Sequence, residues 1–115
     1  MADSVHDILV RVRERLSDPE RWTKYTLARR PFYEDLVPCS VGDSGATCWC
    51  LAGAVMAETM ATSSAVAINA IHECLPAYLQ KRNGGIVEFN DGARRKHADI
   101  LRVLDCAIAK AADHD

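Results

Sequence analysis

Ten consecutive apolar residues, Cys48-Trp49-Cys50-Leu51-Ala52-Gly53-Ala54-Val55-Met56-Ala57, constrain this chain more than any other segment. The run falls well short of the roughly 20 residues that span a bilayer. Most of its side chains are small, so it reads as a helix packed closely by its neighbours. Gly53, Ala57 and Ala61 recur every fourth residue and form a smooth ridge on which another helix can lie. The run predicts a helix from Trp49 to Met60, capped by Thr47, with Cys50 in its first turn. A helix start lowers a thiol's pKa, so Cys50 is either a candidate nucleophile or, if buried, a small hydrophobe.

The 115 residues make one domain, 1–115, long enough for a single core. Only 6% of residues are aromatic against 49% apolar, and alanine leads the apolar set; that balance favours packed helices over a sandwich. Fourteen basic and sixteen acidic residues leave a net charge of -2, which gives nucleic acid weak support and no reason to expect a membrane surface. Met1-Ala2-Asp3-Ser4-Val5-His6-Asp7 lacks the basic and apolar regions of a signal peptide, so a cytoplasmic location is expected. Cys39, Cys48, Cys50, Cys74 and Cys106 are odd in number; without a secretion signal they are expected to be free thiols.

Ser4 and Asp7 resemble a capping box before Val5, Ile8, Leu9, Val12 and Leu16, whose spacing draws one buried stripe along a helix. Asp18-Pro19-Glu20 starts a short helical turn with Asp18 as cap, and Trp22 pins it to the core. Residues 23–46 contain Pro31, Pro38, Gly42 and Gly45 without a sustained period, so they read as a long ordered loop anchored by Phe32, Tyr33, Leu36 and Val37. A helix capped by Ser63 or Ser64 runs through Val66 or Ile68, Ile71 and Leu75 toward Leu79, kinked at Pro76 or broken near Leu75. Asn83-Gly84-Gly85 and Asn90-Asp91-Gly92 are turns flanking a short extended piece, Ile86–Phe89. The last helix runs from about Arg94 to Ala112, capped by Asp91, with Ile100, Leu101, Leu104 and Ile108 facing inward. The fold class expected is therefore all-α, with four main helices and one short turn.

Four groups of residues also resemble a family of short uncharacterised proteins of bacteria and phages, a domain of unknown function. They are Asp18-Pro19-Glu20-Arg21-Trp22-Thr23, Ala28-Arg29, Trp49-Cys50 with Gly53-Ala54, and Asn90-Asp91 ahead of His97-Ala98-Asp99-Ile100-Leu101. The last helix of that family begins with a Thr in a Thr-x-x-acid box. Here Lys96 takes that place with Asp99 three residues on. The resemblance implies a fold and no activity.

Cys50, His97, and Asn90 or Asp91 supply a nucleophile, a base and an orienting group for a thiol-dependent hydrolase or transferase, provided that they meet; the local papain signature is absent. Arg94, Arg95 and Lys96 oppose the dipole at a helix start, which suits either an anion or nucleic acid bound there, or plain solvation. Cys48, Cys50, His72, Cys74, His97 and Cys106 lack the spacing of a zinc site, so no metal and no cofactor are expected. Trp22 and Trp49 read as core anchors ahead of a binding platform. With no complete catalytic signature, the leading expectation is a non-enzymatic accessory or interaction module that binds a protein partner or self-associates.

Overall fold

Ser4 caps helix α1 (Val5–Arg15), its hydroxyl accepting from the Asp7 N–H at 3.1 Å. Ile8, Leu9, Val12 and Leu16 are buried along one stripe, as their spacing requires. The opposite side holds Arg11 and Arg15, which both pair with Glu58. Asp18 then caps a 3-10 turn, Pro19–Arg21, by accepting from the Glu20 N–H at 2.8 Å. The structure, a computed structural model, describes residues 4–60 and 64–114. Met1-Ala2-Asp3, Ala61 and Ser63, named above, lie outside them.

The stretch expected to be a long loop contains two β-strands. Strand β1 (Ala28–Phe32) turns at Tyr33-Glu34 into β2 (Asp35–Cys39), and β3 (Cys48–Trp49) pairs with the start of β1. The sheet order is β2-β1-β3, antiparallel throughout. Six helices and this sheet among the described residues make the protein α+β, which corrects the all-α expectation.

The prolines misled because each occupies a place where no ladder donor is needed. The Thr47 N–H donates to the Arg29 carbonyl on the β3 side, so Arg29 turns its backbone groups away from β2. Pro31 lies two residues on, and Pro38 faces Arg29 in the register; both rings therefore sit outside the β1–β2 hydrogen bonds.

Helix α2 (Leu51–Thr59) starts two residues later than expected, because Cys50 is its cap and Thr47 is engaged by the sheet. The ridge residue Gly53 lies against the chain entering β1: a Cβ there would overlap the Leu27 carbonyl. Cys50 N–H donates to that same carbonyl at 3.1 Å, so the helix start is seated on the sheet. The helix ends at Met60 in the left-handed region, φ 48°.

Helix α3 (Ser64–His72) breaks before Pro76, and α4 (Ala77–Gln80) resumes after it. The Gln80 side-chain amide spans the break by donating to the Glu73 and Leu75 carbonyls. The expected extended piece at Ile86–Phe89 is instead part of helix α5 (Gly85–Asp91). Ile86, Phe89 and Asn90 are buried at helical spacing. Gly84 enters the helix with φ 76°, and a Cβ on Gly85 would overlap the Leu79 carbonyl. Packing of that face overrides the β preference of Ile86 and Val87.

Helix α6 (His97–His114) starts three residues later than Arg94. Its fully buried positions are Ile100, Val103, Leu104, Ala107 and Ala111, while Leu101 and Ile108 are only half-buried. Helix α1 packs against α2, α3 and α6, and α5 closes the core from the α2 side. Cys74 and Cys106 form a disulfide between the chain after α3 and helix α6, which corrects the expectation that all five thiols are free. Cys39, Cys48 and Cys50 are free.

Candidate functional site

Asn90 is fully buried and stands where the groups bearing the family resemblance converge. Its Oδ1 accepts from Trp22 Nε1 at 2.7 Å and from the Leu51 N–H at 2.9 Å. Its Nδ2 donates to the Thr23 carbonyl and to Asp91 Oδ1, both at 3.0 Å. Each polar atom of this amide is thus engaged twice. One side chain joins the 3-10 turn, the first amide of α2 and the end of α5.

The surrounding bonds extend this node. Thr23 N–H donates to the Trp49 carbonyl, and Arg29 Nε donates to Thr23 Oγ1 at 2.9 Å. Asp91 accepts from the Tyr25 N–H at 2.9 Å, which holds Tyr25 at φ 74°. Lys24 Nζ donates to the Gly92 carbonyl and lies 5.5 Å from the Trp22 ring centre. Asp91 is therefore bound to the 22–25 segment, not to the start of α6 as a cap.

Cys50 is 4% exposed, and its Sγ accepts from the Gly53 N–H at 3.2 Å as the cap of α2. Burial pushes this thiol above its ordinary range, outweighing the lowering by the Gly53 and Ala52 amides. That is the reverse of what a helix start alone implies. His97 Nε2 is 2.6 Å from the Leu16 carbonyl; a carbonyl only accepts, so Nε2 carries the proton. The imidazole lies 6.2 Å from Trp22, centre to centre. The candidate nucleophile, base and orienting groups each have a bonded role in the fold.

The three cations before α6 separate. Arg95 stacks 3.8 Å over the Phe89 ring and donates from Nε to the Phe89 carbonyl. Lys96 precedes the first helical residue, and its N–H donates to Asp99 Oδ2 at 3.0 Å. Arg94 is exposed. Arg95 also borders a groove of about 480 Å³, whose walls include Leu75, Pro76, Phe89 and Val103 and whose rim includes Arg102.

Of the residues weighed as metal ligands, Cys74 and Cys106 are bonded to each other, and His72 Nε2 is hydrogen-bonded to the Gln80 carbonyl. Among the described residues, no group of three or more His, Cys, Asp or Glu could hold a metal ion. No helix among them is long and apolar enough to cross a membrane. Trp49 packs under the Arg15 guanidinium at 4.4 Å.

The sequence reading missed the exposed tip of the β1–β2 hairpin. Phe32, Tyr33 and Leu36, expected to anchor a loop, are 57%, 91% and 48% exposed. Phe32 and Tyr33 meet edge to face at 4.7 Å at the tip, beside the carboxylates of Glu34 and Asp35. The available signal was Pro31 and Pro38, one in each of the two short runs that flank Tyr33-Glu34. No curated protein and no solved structure matches the chain. A family model does match it, over residues 1–110, and the chain accordingly belongs to that family of unknown function, DUF6197.

Proposed function

We propose that this chain is a small non-enzymatic interaction module whose contact element is the β1–β2 hairpin. The observation that carries the reading is the exposure at the tip of two aromatic rings in contact, Phe32 and Tyr33, with Leu36 exposed on the other face of the hairpin. Exposed single apolar residues are ordinary, but a pair of touching, exposed aromatic rings on a turn is typical of contact surfaces. Pro31 and Pro38 remove donors from both open edges of the hairpin, so recognition runs through tip side chains and not through added strands. The internal engagement of Cys50, Asn90 and His97 supports the same reading.

A photo-crosslinking benzophenone residue placed at Tyr33 tests it in living cells, with the exposed Glu20 as control. Defined protein adducts at position 33 and none at position 20 are expected. An absence of adducts at 33 overturns the reading.

A further inference from the structure

We infer that the hairpin tip docks into the Arg95–Arg102 groove of a second copy of this chain, reciprocally, to form a two-fold dimer; the inference rests on the hairpin reading above. The tip combines Phe32 and Tyr33, whose rings are in contact, with two carboxylates, Glu34 and Asp35, the latter opposite Phe32 in the register. The groove combines apolar walls, Leu75, Pro76, Phe89 and Val103, with two guanidinium groups at its rim. Asp99 also borders it and pairs with Arg102 at 3.1 Å. Two guanidinium groups against one carboxylate leave the rim one charge positive on a chain whose net charge is -2, so it is complementary to the two carboxylates of the tip.

Size agrees with the charge. A groove of about 480 Å³ is large enough for an aromatic ring and its neighbours. Each aromatic residue buries about 150–250 Å². One tip in one groove therefore removes on the order of 800 Å² from both partners, short of a stable interface. Two reciprocal contacts reach on the order of 1,600 Å², the ordinary size of a specific complex. That doubling favours a closed pair over a single head-to-tail contact.

Sedimentation equilibrium of the full chain, with charge reversals on each side, tests the inference. Wild type is expected to dimerise with concentration. Glu34→Arg with Asp35→Arg in one variant, and Arg102→Glu in another, are each expected to weaken self-association by about tenfold or more. Mixing the two variants is expected to restore a dimer, because a basic tip then meets an acidic rim and an acidic tip a basic one. Tyr33→Ser, at a position 91% exposed, provides a variant without charge change and is expected to weaken the dimer as well. A monomer at every concentration, or a dimer indifferent to all these changes, overturns the inference. If the chain is monomeric while crosslinks at position 33 capture a different protein, the dimer fails and the hairpin reading stands. If neither appears, both fail.

Discussion

Trp22 Nε1 donates to Asn90 Oδ1 at 2.7 Å across 68 residues of sequence, and the same oxygen receives the first amide of α2. This bond ties the segment between α1 and the sheet to the end of α5. It makes a buried amide the crossing point of three chain segments that are far apart in sequence. Buried polar networks fully satisfied in this way specify one arrangement of the elements they join.

Asn90→Ala is expected to destabilise the fold by about 3 kcal/mol or more, because it strands Trp22 Nε1, the Leu51 N–H and the Thr23 carbonyl together. Urea unfolding followed by Trp fluorescence measures the change. Asn90→Asp keeps the acceptor but loses both donors and adds a charge beside Asp91; it is expected to cost a comparable amount.

Gly53→Ala normally favours a helix by about 0.5–1 kcal/mol. Here the added Cβ overlaps the Leu27 carbonyl. The substitution is therefore expected to cost about 1–3 kcal/mol net, the range for overpacking. Thermal unfolding of the pair of proteins checks the sign.

Met60 ends α2 in the left-handed region at φ 48° and is 71% exposed. Met60→Gly removes the steric cost of a side chain there without loss of core contacts. A gain of about 0.5–1 kcal/mol in urea unfolding is expected.

Asp99 at the start of α6 gives a pH-dependent prediction. Its bond from the Lys96 N–H, with smaller help from Arg95 and Arg102, holds the carboxyl below the ordinary carboxylate range. A carboxyl depressed in the folded state contributes stability above its unfolded pKa and loses it as pH falls through the folded value. Asp99→Asn should thus be less stable than wild type at neutral pH, and the gap should close as pH falls below about 4. Lys96→Thr supplies the missing hydroxyl of the capping box and is expected to add about 1 kcal/mol. Unfolding curves over a pH series measure both.

The helical parts were legible where one face alternates with period 3.6 and a local cap marks the start, as in α1 and at Asp18. The sheet was not legible, because its strands are short, outward-facing and carry prolines at non-bonding positions. Helix α5 was hidden by two β-branched residues, although Ile86, Phe89 and Asn90 already stood at helical spacing. Capping of α6 was misassigned to Asp91, since nothing local shows that its carboxylate is taken by Tyr25. Of the residues singled out for chemistry, Cys50 bonds locally, to the Gly53 N–H three residues on. Asn90, Asp91 and His97 bond to segments far away in sequence, so no single window contains both partners. The Cys74–Cys106 bond was likewise invisible to counting.

The groups suited to chemistry hold the fold together, Cys50 as the cap of α2, Asn90 and His97 as partners of distant segments. Alkylation of each free cysteine in the native protein against pH, resolved by mass spectrometry, tests this. Cys39, half-buried at the end of β2, is expected to react first, and Cys50 to be protected until the protein unfolds. Rapid modification of native Cys50 with a midpoint well below the ~8.5 of a free thiol would contradict it.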